Sequence, residues 1–322
     1  MTQAHRSLFV AAIGAIAALL SCPAWADGER IAVFTKNQTN PFFLTVRLGA
    51  DAAARQLKAT VVHYIPTKAD SIPEQISQIE DVIVKRPSAV VLTPVDFKAL
   101  NGAIRKLNEA NIPVVNMTDR AEQGKFVNFV GAADYDLGLA TGRYLLRKLG
   151  GQGNVVILEG VKGAVVPNER LRGYKDALKE FPKVKVLASQ TANNQRLQAV
   201  QVTENLLQAN PKIDGILAVN DAMATGAIEA LDGANRKALV VGINGTREAV
   251  EAIKAGKMLA SGDYNAFQHG CFAVMSAVRS LRGQPVPKEI AFPARVIDSS
   301  NFQSLDMAPE KMSCLPWESV VK

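Results

Sequence analysis

Amides, carboxylates and guanidinium groups recur in this chain directly after short apolar runs. Ile31-Ala32-Val33-Phe34 is followed by Lys36, Asn37, Asn40, Phe42 and Phe43, and Ala89-Val90-Val91-Leu92 by Thr93, Pro94 and Asp96. Asn116, Asp119 and Arg120 close the next such run, then Asn168, Glu169 and Arg170 follow Val155–Glu159. Asn193, Asn194 and Gln195, then Asn220 and Asp221, then Asn244 and Thr246, and last Asp263, Tyr264 and Asn265 complete the series. An amide both donates and accepts, which suits a hydroxyl that does both. Carboxylates and guanidinium groups add charge-assisted hydrogen bonds, and flat rings such as Phe42 and Phe43 can cover the C–H face of a sugar. The set describes a site for a small polyhydroxylated molecule. The same residue types are also favoured helix N-caps, so Asn220 or Thr246 taken alone reads first as a cap. Pro41 can open a helix, and Asp119–Arg120 can be a weak surface ion pair. The recurrence of Asn in both halves raises the set above its members.

Other chemistries find little to use. The chain has three His, His5, His63 and His269, far apart in sequence, so metal sites and Ser-His-Asp catalysis have no constellation. There is no G-x-G-x-x-G after the first apolar run and no P-loop motif, so no nucleotide cofactor is expected. No nucleophile stands beside an obvious base. The expectation is a binding protein without cofactor or metal and not an enzyme. N-x-T triplets at 37, 116 and 244 read as chance in a chain with a bacterial-type leader.

The elements that must position these residues show as a rhythm. Residues 30–35, 60–65, 89–94, 113–118 and 126–132 read as strands, with helices at 43–59, 72–86, 97–111 and 135–150. The pattern repeats: strands at 154–160, 184–190, 215–220, 238–244 and 258–264, and helices at 168–181, 195–210, 222–234, 246–256 and 270–283. Strand–helix alternation specifies parallel sheets covered by helices on both faces, here twice over. Ligands of open α/β sheets sit outside the carboxyl ends of the strands, where the polar residues stand.

Of 322 residues, 48% are hydrophobic and 21% charged, an ordinary globular balance. The net charge of +7 comes from scattered Lys and Arg that form no tract, so no nucleic-acid partner is expected. A basic start, the apolar stretch from Ser7 to Leu20 and Ala24-Trp25-Ala26 read as a signal peptide over 1–26, cleaved near Ala26 to release the chain into the periplasm. A lipid anchor on Cys22 is the competing reading. Cys271 and Cys314 remain after cleavage. They either form a disulfide that pins the C-terminal tail, the favoured reading, or stay as two separate buried thiols.

The motifs "NPFF" at 40–43, "TP-x-D" at 93–96, "DR" at 119–120, "NERLRGY", "VNDAMATGA", "VGINGT" and "AVEAIKAGK" resemble those of periplasmic ribose-binding proteins and related sugar-binding proteins. Those are the solute receptors of bacterial ABC importers, and the resemblance covers essentially the whole mature chain. It implies a type I periplasmic binding protein: α/β, two doubly wound parallel-sheet lobes joined by three hinge strands. The N-terminal lobe would comprise 27–133 plus 265–293 and the C-terminal lobe 134–264 plus 294–322. Crossings would lie near Ala133, Tyr264–Asn265 and Pro293–Arg295. The resemblance places Asn40, Phe42, Phe43, Asp119 and Arg120 on one lobe and Asn220 on the other. Four positions depart from the ribose-binding pattern: Asn168 for an Arg, Asn194 for an aromatic, Asn244 for an Asp and Tyr264 for a Gln. In related arabinose-binding proteins a Lys at the position of Lys36 touches the sugar, so Lys36 would supply the cation lost at Asn168. With Thr93 added, these twelve are the expected ligand residues. If Lys36, Asp119 and Arg120 all face the cleft, their charges leave one net positive. A neutral monosaccharide or polyol is the first expectation and a sugar acid the second. A monomer that delivers its ligand to an inner-membrane ABC permease by hinge closure is expected. The rivals are presentation to a chemoreceptor or sensor kinase, a LacI-type regulator and an enzyme.

Overall fold

The computed structural model describes residues 28–308 and 311–321, so the expected signal peptide, its cleavage near Ala26 and Cys22 lie outside the described residues. The N-terminal lobe opens with β1 (Arg30–Phe34), α1 (Pro41–Leu57), β2 (Thr60–Tyr64), α2 (Ile72–Lys85) and β3 (Ala89–Leu92). It continues with α3 (Asn101–Glu109), β4 (Val114–Met117) and β5 (Phe129–Ala132). The C-terminal lobe holds α4 (Asp134–Lys148), β6 (Gln152–Glu159), α5 (Val165–Lys179), β7 (Lys183–Thr191) and α6 (Arg196–Ala209). Then come β8 (Gly215–Ala218), α7 (Asp221–Gly233), β9 (Leu239–Asn244), α8 (Arg247–Lys254) and β10 (Ala260–Asp263). α9 (Ala266–Leu281) and β11 (Glu289–Phe292) return to the first lobe, β12 (Arg295–Ile297) to the second, and α10 (Trp317–Val320) ends the described chain.

Each lobe is a six-stranded sheet, ordered β2-β1-β3-β4-β5-β11 and β7-β6-β8-β9-β10-β12. The pairings are parallel except β12, which runs antiparallel to β10. Inner strands such as Ala89–Leu92 and Val114–Met117 are buried on both faces, which is why they read as unbroken apolar runs rather than alternating ones. The edge strand Lys183–Thr191 is mostly exposed and carries Lys at two positions, a guard against edge pairing.

Among the helices whose starts differ from expectation, α9 begins at Ala266 rather than 270, and two others differ for identifiable local reasons. The helix expected over 97–111 starts only at Asn101, because Asp96 Oδ1 accepts from the amides of Lys98 and Ala99 and holds that turn out of the helix. α5 starts at Val165 rather than 168. Pro167 falls in its first turn, where a backbone donor has no helical partner to lose. β11 and β12 carry too few residues for a periodic signal.

The chain passes between lobes at Ala133, at Tyr264–Asn265 and at Pro293–Ala294. The tail departs from its expected place wholly on the C-terminal lobe. Lys254 pairs with Asp306 at 2.8 Å, which does hold the tail's first part there. From Ser313 onward it lies on α9 of the other lobe. Gln268 receives the amide of Leu315 and donates to the carbonyl of Ser313, and Trp317 stacks on Phe272 with ring centroids 5.7 Å apart. Arg279 covers Trp317 at 4.5 Å. A Cys271–Cys314 disulfide fixes the arrangement, so the bridged alternative is the one adopted. It closes a loop of 43 residues, and restriction of the unfolded chain alone implies about 4 kcal/mol. Replacing Cys271 and Cys314 together by Ser should lower the unfolding free energy by about that amount and make residues beyond Met312 protease-sensitive. Denaturant titration beside limited proteolysis checks this, and an unchanged midpoint would refute it.

Candidate functional site

The carboxyl ends of both sheets face one another across an interlobe cleft. Its lining includes Lys36, Asn37, Asn40, Phe42, Phe43, Asp70, Thr118 and Asp119 from the first lobe. Val166, Pro167, Arg170, Asn194, Asn220 and Asn244 come from the second, with Tyr264 at the crossing between them.

Two of the five amides that line the cleft, Asn40 and Asn220, also cap a helix. Asn40 Oδ1 accepts from the amide of Phe42 at 3.0 Å and caps α1, and Asn220 Oδ1 accepts from Met223 at 2.8 Å and caps α7. Asn220 Nδ2 also donates to the carbonyl of Asn194 at 3.1 Å, which ties two cleft loops together. Several lining residues carry unusual backbones. Asp70, Thr118, Asn194 and Asn244 have φ of 57°, 65°, 60° and 151°. Asn and Asp tolerate positive φ, but a β-branched Thr does so only when the surroundings force it. At Thr118 the force is a tight turn in which the Asp119 amide donates to the Met117 carbonyl at 2.7 Å, aiming Asp119 into the cleft.

Phe42 and Phe43 meet edge to face at 5.2 Å, both nearly buried. Phe42 also leans on Tyr264 at 5.3 Å and on His269 at 6.3 Å. Lys36 Nζ lies 3.3 Å from Asp119 Oδ2. Burial works to lower the pKa of Lys36, but the Asp119, Asp70 and Asp96 carboxylates outweigh it and the pKa rises. Asn37 donates from Nδ2 to Asp70 Oδ1 at 3.0 Å.

On the second lobe Arg170 is the organising group, 4% exposed. Its Nε donates to Asp134 Oδ1 at 2.8 Å, and its Nη1 to the Val219 carbonyl and to Asn244 Oδ1, each at 3.0 Å. Its guanidinium lies 4.4 Å from the Tyr264 ring centre. Tyr264 has one hydroxyl proton, which it donates to Asp134 Oδ2 at 3.0 Å, while the Thr118 carbonyl lies 3.4 Å away. Burial pushes Asp134 up to about 6, with Arg170 and Tyr264 offsetting part of that. The close approach of α4 and α5 sets this geometry. A Cβ at Gly138 would sit 2.2 Å from the Arg170 carbonyl, and one at Gly173 would sit 2.4 Å from that of Tyr135.

Three expected residues are not among the cleft lining. Thr93 is buried beneath it, its carbonyl accepting from Gln75 Nε2 at 3.0 Å. Arg120 turns outward to Glu289 at 2.6 Å, its guanidinium 3.7 Å from the Phe129 ring centre. Asn168 is exposed, because the early start of α5 rotates Arg170 rather than Asn168 toward the cleft. Thr118 and Arg170 stand at strand ends that were already flagged. Asp70 follows the second strand, whose end carried no amide to mark it.

Over residues 31–285 the chain matches the family described as a periplasmic binding protein domain. It belongs to that family. The ribose import binding protein of Haemophilus influenzae is 33% identical over 269 residues, covering 84% of this chain and 91% of that one. The xylitol-binding protein of Mycolicibacterium smegmatis is 28% identical over 310 residues, covering 94% and 87%. An ABC transporter periplasmic solute-binding protein from Actinobacillus succinogenes with bound D-allose superposes with a TM-score of 0.82 at 33% identity, covering 86% of this chain and 99% of that one. A Caulobacter myo-inositol binding protein superposes with a TM-score of 0.80 at 29% identity, covering 86% and 95%. The fold of this periplasmic binding protein is thus type I, with the cleft between its two lobes.

Two outcomes test the electrostatics of this cleft. Arg170→Met should cost about 3–5 kcal/mol at pH 7 by leaving Asp134 buried without its cation. The loss should shrink at pH 5, where the unpaired carboxyl takes up a proton; a loss independent of pH between denaturant curves would contradict this. His269 is buried among Phe42, Tyr264 and Phe292, with Thr118 Oγ1 at 3.5 Å from Nδ1, and burial and then Arg170 push its pKa down to about 3. The folded state therefore refuses a proton that the unfolded chain accepts below about 6.5, and stability is lost on acidification. Relative to His269→Leu, the wild type should lose about 1.4 kcal/mol per pH unit from 6.5 toward 4.5. Parallel slopes for the two proteins would refute it.

Proposed function

We propose that this protein is the periplasmic receptor of an ABC importer that takes up a neutral monosaccharide or polyol. The observation that carries the neutral reading is the charge census of the cleft. Lys36 and Arg170 stand against Asp70 and Asp119, with Asp134 behind Arg170 as a third carboxylate. Arg120, which would have tipped the balance positive, is spent on Glu289 outside the chamber. A carboxylate ligand would therefore enter a site with no cation in excess. Hydroxyls, in contrast, meet the amides of Asn37, Asn40, Asn194, Asn220 and Asn244, which can donate or accept.

In this reading Asn40, Phe42, Phe43, Lys36 and Asp119 hold the ligand from one lobe and Asn194, Asn220, Asn244 and Arg170 from the other. A ligand touching both lobes favours the closed hinge by its differential affinity for that state. The closed form is what the permease would distinguish from the empty one. The chain acts as a monomer, released into the periplasm by cleavage near Ala26, and carries out no chemistry on its ligand. Its relatives named for ribose, allose and xylitol support the class of ligand.

A thermal-shift screen of pentoses, hexoses, alditols, cyclitols and aldonic acids tests it. A true ligand at about 100 times its Kd should add about 2.7 kcal/mol of stability. Neutral compounds should be the ones that stabilise. Stabilisation by aldonic acids alone would overturn the neutral reading.

A further inference from the structure

Three of the amides that line the cleft have already committed their oxygens. Asn40 Oδ1 accepts from the Phe42 amide and Asn220 Oδ1 from the Met223 amide. Asn244 Oδ1 accepts from Arg170 Nη1 at 3.0 Å. Each of these partners is a donor, so only an oxygen can face it and the amide cannot be turned over. What each of the three side chains has left for a ligand is N–H.

The consequence differs between the lobes. On the first, Asp70 and Asp119 each keep a carboxylate oxygen beyond the one held by Asn37 or Lys36, so that wall can take protons from hydroxyls as well as give them. On the second, the wall offers Asn244 Nδ2, the second hydrogen of Asn220 Nδ2 and Arg170 Nη2, none of them bonded elsewhere among the described residues. No carboxylate lines the cleft from this lobe. The neighbouring carbonyls of Val219 and Asn194 already accept from Arg170 and Asn220. Asn194 carries the one side-chain oxygen there that no donor holds, and it lies against Gly160, where a Cβ would sit 2.4 Å from it. Asp134 meets the charge of Arg170 from behind, so this wall gives hydrogens without an excess of charge.

A wall built almost wholly of donors fits an oxygen that only accepts. A hydroxyl set against it would turn its own proton toward N–H groups, whereas the ether oxygen that closes a sugar ring has no proton. Asn244 Nδ2 has both hydrogens unspent, while Asn220 has given one to Asn194. We infer that Asn244, locked by Arg170, is the residue that selects a ring-closed sugar: its Nδ2 donates to the ring oxygen, and the hydroxyl protons go to Asp70 and Asp119 across the cleft. This rests on the neutral monosaccharide-or-polyol reading above and narrows it, since alditols and cyclitols have no such oxygen.

Isothermal titration of the full mature protein tests this with the D-aldopentoses and D-aldohexoses, each beside its alditol and its carbocyclic analogue, in which CH₂ replaces the ring oxygen, and with myo-inositol. The sugar that binds best should do so about 10-fold or more tightly than both its analogues, a difference of about 1.4 kcal/mol, because the exchange leaves donors unpaired. Asn244→Asp, which cannot donate, should bring that sugar and its carbocyclic analogue within about twofold of one another. Asp119→Asn should weaken both and keep their ratio as in the wild type. The wild-type ratio decides even where a variant does not fold. The inference fails if an alditol, a carbocycle or inositol binds as tightly as the sugars or more tightly, a result that leaves the neutral reading standing. It fails too if Asn244→Asp keeps the wild-type ratio. If nothing in the panel binds, the neutral reading falls with it.

Discussion

The cleft depends on one buried cation. Arg170 meets Asp134, which begins the first helix after the first crossing, and faces Tyr264, which forms the second crossing. Its other bonds go to Val219, just beyond β8, and to Asn244, the last residue of β9. A single guanidinium thus fixes two strand ends and two hinge segments relative to one another. Buried ion pairs are poor sources of net stability, because desolvation consumes most of the attraction. What this one supplies is position: a planar fork has defined directions for each hydrogen bond, and a Lys could not reproduce them. The Gly138–Gly173 contact, which lets α4 and α5 approach backbone to backbone, is what allows Arg170 to reach so many partners.

Around that cation, capping a helix and lining the cleft prove compatible. An Asn at a strand-to-helix junction spends its oxygen on the helix and keeps an amide NH₂ to direct elsewhere, as Asn220 does toward Asn194. The parallel topology places every such junction on one edge of the sheet. A row of good N-caps therefore becomes a row of polar side chains around a cleft. The positive φ values at Asp70, Thr118, Asn194 and Asn244 belong to the same economy of space, because tight turns keep the cleft loops short. Asp221 reinforces it from below, accepting from the Thr246 amide at 2.8 Å and the Ser261 hydroxyl at 2.6 Å, which steadies the loop after Asn244.

The fold was legible in the sequence because buried parallel strands and amphipathic helices have different periods, and the alternation of the two leaves little topological choice. Residues directly after strands, such as Lys36, Asn40, Asp119 and Asn220, could be assigned to the cleft edge for the same reason. Side-chain direction was not legible. Asn168 and Arg170 are two residues apart on a helix, so which one faces the cleft depends on where the helix begins, and Pro167 gave no unique answer. Arg120 adjoins Asp119, and the turn that points one inward sends the other out to Glu289, a partner 169 positions away. Thr93 has the right place in the strand but its carbonyl is claimed by a buried Gln75, a contact with no sequence signature. The tail's return to the N-terminal lobe was hidden likewise, since a cysteine pair reports a bond only once the fold has brought the two together.

That return bears on how the two lobes can move. A covalent tie back to the N-terminal lobe would block closure if it were attached far from the hinge axis. Cys271 lies in the second turn of α9, which begins two residues after Tyr264, so the tie is anchored beside a crossing. The other end of the tail is held by Lys254 and by Leu305, whose side chain is the nearest atom a Cβ on Gly245 would meet, again beside the strand that leads into the cleft. The Cys271 anchor stands beside the second crossing, and Leu305 packs beside Gly245 just after the end of β9. The disulfide and the Lys254–Asp306 pair thus tie one tail to both lobes. A receptor that must present one closed geometry needs this kind of restriction, because the cleft residues meet only if the two sheet edges arrive in register.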